Sequence, residues 1–184
     1  MSRPIRLFVS SSPGLAPERE MVGQIVADLP VEVGWEIKHT IGPGEDDREA
    51  LNFVERCDFY LLLLGGDFAA PMGVELRRAQ RQRKRVLAYR KDIPHSPSAQ
   101  RLLRRTDMAW TTFQTPLELK REASRALAEA ILDRGERFGL HVNEVQALLE
   151  ITESEEEEKG KPGEIDRRRG AGRGGVILGR GTET

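Results

Sequence analysis

Apolar residues recur along this chain in two alternating patterns. Short runs rich in branched and aromatic residues alternate with longer segments in which apolar residues return every three or four positions. The first pattern predicts five buried strands, and the second predicts a helix after each of them. The predicted strands cover residues 5–9, 35–40, 58–64, 85–89 and 109–113.

Local signals mark where several of the helices begin. Pro17 occupies an expected first helical position, and Thr115 with Pro116 predicts a capped start for a later helix. The helix after the third strand is predicted to span residues 73–83, which places Glu75 in its first turn. Another helical segment is predicted at 142–151.

Strands that alternate with helices predict an α/β fold with a parallel sheet covered on both faces, a three-layer sandwich. Five such units favour the flavodoxin-like strand order 2-1-3-4-5. In that order ligands bind beyond the carboxyl ends of strands one and three, where the winding of the sheet reverses. The predicted crevice is therefore formed by residues 10–15 and 65–73.

Composition limits the partners of this 184-residue chain. The net charge of −1 gives no reason to expect a nucleic acid or a membrane, and the longest apolar run, residues 59–64, is too short to span a bilayer. The single cysteine, Cys57, excludes an intrachain disulfide, and three widely spaced histidines predict no structural metal. We expect a cytoplasmic protein that needs no cofactor.

The composition changes near the end of the chain. Residues 1–151 are predicted to form one α/β domain, and residues 152–184, acidic and then rich in glycine and arginine, to form a disordered tail. The basic residues between 77 and 85 surround their helix without interleaved aromatic residues, which predicts a solvated surface rather than a nucleic-acid site. They are Arg77, Arg78, Arg81, Arg83, Lys84 and Arg85.

Ser10, Ser11 and Ser12 follow the first predicted strand directly. Hydroxyl and backbone N–H groups beside a helix N-terminus suit a phosphate group, so the serines could line a ligand pocket. Serines also end strands and cap helices, and that interpretation stands equally. The loop carries neither the glycine pattern of dinucleotide-binding folds nor a Walker motif.

The loop after the third strand combines glycines with one acid. Gly65, Gly66 and Gly73 allow a ligand to approach the backbone closely. Asp67 could accept hydrogen bonds from ribose hydroxyls, or it could simply form a turn. These residues, with the three serines, make up the predicted substrate-binding wall.

Glu75 is the chemically distinctive residue of this region. A carboxylate in the first turn of a helix interacts favourably with the helix dipole, by about 0.5 kcal/mol. A carboxylate facing a crevice can also stabilise or trap the oxocarbenium-like state formed when an N-glycosidic bond breaks. No Ser–His–Asp set and no pair of catalytic acids competes with it in the sequence.

Three segments between Arg6 and Phe113 resemble known families. The segment "RLFVSSSPGLAPERE" resembles the opening of a bacterial domain-of-unknown-function family with a V-F-V-S-S…E-R-E pattern. The segment "GPGEDDREALNFVERCDFYLLLLGGDF" resembles Toll/interleukin-1 receptor (TIR) domains. The segment "GVELRRAQRQRKRVLAY" resembles both TIR domains and nucleoside 2-deoxyribosyltransferases, in which a glutamate near the start of this helix is catalytic.

The resemblance implies a TIR-like fold and specific roles for several residues. Glu75 would be the catalytic acid, Ser10 and Ser11 would line the pocket, and Pro43 with Gly44 would form a mobile loop after strand two. Enzymatic relatives cleave NAD or process nucleosides, often in antiphage defence or cell-death signalling. TIR-like domains also self-associate, commonly through the loop after strand two and adjacent helices.

Two main hypotheses about function follow. The first is an N-glycosidase acting on NAD or a related nucleotide as substrate. The second is a non-enzymatic signalling module that binds a nucleotide or a partner domain. A flavin-binding protein is a more distant third.

Overall fold

A computed structural model describes residues 3–40, 47–105 and 107–159 of the chain. Within them, five strands and seven helices follow one another along the chain. The strands are β1 (Ile5–Ser11), β2 (Trp35–His39), β3 (Phe59–Leu64), β4 (Arg85–Lys91) and β5 (Trp110–Phe113). The helices are α1 (Ala16–Asp28), α2 (Asp47–Arg56), α3 (Ala70–Arg81), α4 (Pro97–Arg105), α5 (Pro116–Leu132), α6 (Gly135–Phe138) and α7 (Val142–Lys159).

The strands form one parallel sheet in the order β2-β1-β3-β4-β5. This confirms the predicted three-layer α/β fold with flavodoxin-like strand order. All six residues of β3 are buried, as expected of a central parallel strand covered on both faces. The reversal of winding lies between β1 and β3, whose carboxyl ends lie side by side.

Side chains of alternate strand residues enter two separate cores. On one face, Leu7 and Val9 of β1 pack in a core that also includes buried residues of α1 and α5. On the other face, Phe8 stacks on Tyr60 of β3, with ring centroids 5.6 Å apart, and packs with residues of α2 and α3. The period of two along each strand produces this division.

The start of α3 differs from the sequence prediction. The helix begins at Ala70 rather than Gly73, because Pro71 fits the first turn, where its missing N–H removes no helical hydrogen bond. Glu75 consequently lies in the second turn of α3, and its predicted first-turn interaction with the helix dipole is wrong.

The last helix is longer than predicted. α7 continues to Lys159, past the position where the disordered tail is predicted to begin. The remainder of that predicted tail, residues 160–184, lies outside the described residues, as do Pro43 and Gly44. Among the described helices, none has the length and apolar character needed to cross a bilayer.

Glu144 fastens α7 to the rest of the domain. Its carboxylate accepts hydrogen bonds from the backbone N–H of His141 and of Glu32, each 2.6 Å away. The hydrogen bond from His141 and, to a lesser extent, the one from Glu32 lower the pKa of Glu144, against the effect of burial. The side chain thus ties the start of α7 to the loop between α1 and β2.

The hydrogen bonds to Glu144 should make the free energy of unfolding depend on pH. Because the pKa of Glu144 is lowered in the folded state, its contribution to stability is complete above the unfolded pKa and is lost as the pH falls through the folded pKa. We expect Glu144→Gln to lower the free energy of unfolding at neutral pH by about 1.5–3 kcal/mol and to change it less at acidic pH. Urea unfolding of both proteins across the acidic range measures this.

Glu150→Gln, at an exposed position of the same helix, is the matched control. It should leave the pH profile of the wild type unchanged. If the free energy of unfolding of Glu144→Gln changes with pH in the same way as that of the wild type, the Glu144 carboxylate does not contribute the expected pH dependence.

Candidate functional site

The side chains of Glu75, Ser10 and Thr40 meet at the carboxyl edge of the sheet. The Ser10 hydroxyl donates to Glu75 Oε2 at 2.6 Å, and the Thr40 hydroxyl donates to the same oxygen at 2.8 Å. Ser10 and Thr40 Oγ atoms are 3.2 Å apart. We call these three residues the carboxylate cluster.

Three elements bring the carboxylate cluster together. Ser10 lies on β1 and faces the α2–α3 side, two residues after Phe8. Thr40 directly follows β2, which pairs with β1 so that Val9 lies opposite His39. Helical side chains tilt toward the N-terminus of their helix, so Glu75 reaches back from the second turn of α3 toward this edge.

The Thr40 hydroxyl both accepts and donates. The N–H of Ser11 donates to Thr40 Oγ1 at 3.2 Å, and the single hydroxyl proton has two acceptors within reach, Glu75 Oε2 at 2.8 Å and Ser10 Oγ at 3.2 Å, of which the charged carboxylate is the nearer. The Thr40 N–H donates to the Val9 carbonyl at 3.0 Å, continuing the β2–β1 ladder by one residue. The chain therefore presents two oriented hydroxyl donors to one oxygen of a carboxylate that is only 2% exposed.

Tyr60 lies beneath the carboxylate cluster. Burial raises the pKa of its phenol well above the ordinary value; the nearby Ser10 hydroxyl lowers it, and Glu75 raises it further. The phenol is therefore neutral. Its hydroxyl satisfies the geometry of a hydrogen bond with none of the described residues, although the Ser10 hydroxyl is close.

Ser11 and Ser12 take different positions from Ser10. Ser11 is buried, and its hydroxyl forms no hydrogen bond to a described residue. Ser12 is fully buried; its Oγ accepts from the Gly65 N–H at 2.8 Å and donates to the Asp67 carbonyl. Ser12 thereby ties the end of β1 to the loop after β3.

Asp67 holds two loops together. Its Oδ1 accepts from the hydroxyls of Ser96 and Ser98 at 2.6 and 2.7 Å and from the Phe68 N–H at 2.8 Å. The hydrogen bonds from Ser96 and then Ser98 lower the pKa of Asp67. Ser96 also donates its N–H to the Gly66 carbonyl at 2.7 Å. This oxygen of Asp67 is thus used by the chain's own donors.

A side chain at Gly65 would crowd its neighbours, because a Cβ there would lie 3.2 Å from Ser12 Cβ and from Leu15 Cγ. A Cβ at Gly73 would make an ordinary van der Waals contact, 3.4 Å from the ring of Phe68. Gly65 therefore permits close packing within the wall of the crevice, whereas Gly73 leaves room for a small side chain.

A second buried carboxylate lies at the same edge. Glu18, in the first turn of α1, is 1% exposed, and its Oε1 is 2.7 Å from Nζ of Lys91 at the end of β4. Sequence reasoning did not select this pair. Among the described residues, no group of three or more His, Cys, Asp or Glu side chains could hold a metal ion.

Sequence reasoning also did not select Thr40 or Tyr60. For Thr40 a signal was available, because the order 2-1-3 places the residue that follows β2 beside the end of β1. For Tyr60 the signal is weaker, since an aromatic residue in a central strand is usually ordinary core.

Comparison with solved structures finds a similar backbone path in a CMP N-glycosidase, BcmB, of Clostridium botulinum. The TM-score is 0.47 and the sequence identity 14%, over 64% of this chain and 96% of that chain. No family model matches the chain, and no curated protein matches it at the significance threshold. Membership of a TIR-like family therefore stays a prediction.

Thr40→Val tests what the carboxylate cluster contributes to the fold. The substitution keeps the shape of the side chain but deprives Glu75 of one donor and the Ser11 N–H of its acceptor. We expect it to lower the free energy of unfolding by about 1–3 kcal/mol, while Thr40→Ser stays close to the wild type. Urea unfolding that does not distinguish Thr40→Val from Thr40→Ser would contradict the assigned hydrogen bonds.

Tyr60→Phe is expected to raise the free energy of unfolding, whereas Thr40→Val is expected to lower it. Removing a buried hydroxyl without a partner relieves its desolvation penalty, so we expect the free energy of unfolding to rise by up to about 1 kcal/mol. Tyr89→Phe is the control, because the Tyr89 hydroxyl donates to the Glu122 carbonyl at 3.4 Å. A marked loss of stability in Tyr60→Phe would show that the phenol makes a hydrogen bond in solution.

Proposed function

We propose that this chain is an N-glycosidase that acts on NAD or a related nucleotide, with Glu75 as its catalytic carboxylate. The observation that carries the proposal is the carboxylate cluster, located beside the reversal of winding between β1 and β3. Ligands of doubly wound sheets bind beyond the carboxyl ends of the strands at this point. A role in bacterial defence or signalling is part of the proposal and rests on the TIR-like resemblance alone.

Cleavage of an N-glycosidic bond is assisted by a negative charge close to C1′ of the sugar. When the bond between C1′ and the base nitrogen breaks, its electron pair leaves with the base, and positive charge develops on C1′ and the ring oxygen. Glu75 would stabilise that charge, or bond to C1′ until water replaces it. Water supplies the hydroxyl group on C1′. Its other proton goes to the solvent when nicotinamide leaves NAD, because the pyridinium becomes neutral as it takes the electron pair; when a neutral nucleotide base leaves, that base takes the proton.

The hydroxyls of Ser10 and Thr40 suit this role. They hold Glu75 Oε2 in one position before any substrate binds, so little reorganisation is needed as charge develops. Because Glu75 is 2% exposed, the sugar can reach it only if the atoms covering the crevice move aside.

The same low exposure favours a second candidate, a module that binds a nucleotide or partner without turnover. In that case the carboxylate cluster would serve only to join α3 to β1 and β2. A buried carboxylate needs hydrogen-bond donors whether or not it takes part in catalysis, so the carboxylate cluster is also compatible with a purely structural role. The two candidates differ in whether the charge of Glu75 matters for more than folding.

Glu75→Gln separates them, because it keeps the shape of the side chain and removes its charge. We expect the wild type to release free base from NAD or from a nucleoside monophosphate, and Glu75→Gln to release it at least about 100-fold more slowly. Chromatography of the released base measures the rate, and thermal unfolding verifies that both proteins are folded. Glu20→Gln, at an exposed position of α1, is the matched control.

Equal release by wild type and a folded Glu75→Gln would exclude Glu75 as the catalytic residue. If neither releases base, calorimetry with the same nucleotides tests the second candidate. Binding without turnover would support the module, and its affinity should respond to Glu75→Gln if the carboxylate cluster borders the ligand.

A further inference from the structure

The stretch from Leu76 to Asp107 carries far more positive than negative charge. It contains eleven lysines and arginines but only two acids, Asp92 and Asp107. The sequence predicts a solvated surface here, because the first six basic residues surround their helix. The structure divides the eleven basic residues into two sets, those that the domain uses and those that it does not.

Five of the basic side chains take part in the fold. They form ion pairs or hydrogen bonds with other parts of the domain: Arg78, Lys84, Arg85, Arg90 and Lys91. The other six are exposed arginines, and none of them forms an ion pair with a described residue. We call them the arginine surface: Arg77, Arg81, Arg83, Arg101, Arg104 and Arg105.

The arginine surface covers the outer sides of α3 and α4. Arg77 and Arg81 are one turn apart on α3, and Arg101 and Arg105 are one turn apart on α4. Leu102 of α4 packs against the core cluster that holds the buried side of α3, so both helices lie on one face of the sheet. They lead into the adjacent strands β4 and β5, and their last turns therefore end at the same edge of the sheet.

The backbone of Arg83 shows that this arginine does not serve the fold. Its φ of 50° lies in the left-handed region, at the position after a helix where glycine is the usual residue. The Lys84 N–H donates to the Ala79 carbonyl across it at 3.0 Å, as in a Schellman turn. The Arg83 side chain therefore strains the backbone, and it forms no hydrogen bond or ion pair with a described residue in return.

We propose that the arginine surface binds the phosphate backbone of double-stranded nucleic acid, independently of the proposed N-glycosidase activity. Guanidinium groups bind phosphate oxygens through two parallel hydrogen bonds. Tyr89 is the one Phe, Tyr or Trp between residues 77 and 105, and it is buried. The surface thus offers no ring on which an unpaired base could stack, which favours a duplex over a single strand. Contacts to phosphates alone carry no sequence preference.

A protein or a membrane fits the arginine surface less well. Protein interfaces have an apolar core within a polar rim, and membrane-surface helices have an apolar face. The large hydrophobic residues exposed near the arginine surface, Val74 and Ile93, lie singly on different elements. Interfaces with nucleic acid are more polar and more positively charged than those with proteins.

The whole-chain net charge of −1 does not cancel this local charge. Salt screens exposed charges over about 8 Å at physiological ionic strength. Acids on the α1–α5 face of the sheet are separated from α3 and α4 by packed layers whose spacing is about 10 Å. A bound duplex would therefore experience mainly the arginines.

Fluorescence anisotropy with a labelled DNA duplex of about 20 base pairs tests the proposal. We expect a dissociation constant on the order of 1–100 μM at physiological salt, similar for two unrelated sequences. Arg77→Gln/Arg81→Gln/Arg104→Gln should weaken binding at least about tenfold at low salt and reduce the slope of log K against log salt by about 2–3. The charge-preserving control Arg77→Lys/Arg81→Lys/Arg104→Lys should keep most of that slope.

Arg83→Gly should affect binding and folding in different directions. Glycine relieves the left-handed φ, so the urea midpoint of unfolding should stay the same or rise. Loss of one phosphate contact should weaken duplex binding and reduce the salt slope by about 1. Damage to the fold cannot explain that combination.

A folded wild type that binds no duplex at low salt, or a triple Arg-to-Gln variant that binds like the wild type, would overturn the proposal. Tighter binding of a single strand than of the duplex would contradict contact through the duplex backbone. Vesicles of phosphatidylcholine and phosphatidylserine are the competing probe. If they bind the wild type and the duplex does not, the arginine surface belongs to a membrane instead.

Discussion

A buried carboxylate must receive hydrogen bonds from the protein that buries it, and this requirement organises the carboxyl edge of the sheet. Glu75 is removed from water almost completely, which would be costly without donors. Ser10 and Thr40 supply those donors from the ends of two paired strands. The hydrogen bonds therefore join three elements, α3, β1 and β2, at the place where the winding of the sheet reverses.

Two buried carboxylates at this edge are stabilised in different ways. Glu18 has a cation, Lys91, which balances its charge within 2.7 Å. Glu75 Oε2 accepts hydrogen bonds from the hydroxyls of Ser10 and Thr40, which fix the position of the carboxylate. The difference comes from the side chains that the neighbouring strands carry at or just after their ends, which are Ser10 and Thr40 beside Glu75 and Lys91 beside Glu18.

The fold was accessible from the sequence because its signals are local and repeated. Apolar β3, the turn residues after each strand and Pro116 each predicted an element that the structure contains. The predicted beginning of α3 was wrong because the prediction took Gly73 as the first helical residue, whereas Pro71, two residues earlier, already lies in the first turn. The partners of Glu75 were harder to predict, since Ser10 and Thr40 are separated from it by 65 and 35 residues and meet it only through the strand order.

The position of Glu75 depends on the packing of α3. The second turn of this helix carries Glu75 on the same buried side as Met72, Leu76 and Ala79. Among the described residues, α3 packs against α2 and against β1, the strand that carries Ser10. A shift of α3 along its axis would therefore change the distances from Glu75 Oε2 to the hydroxyls of Ser10 and Thr40. The apolar packing of α3 thus sets the geometry on which the proposed chemistry depends.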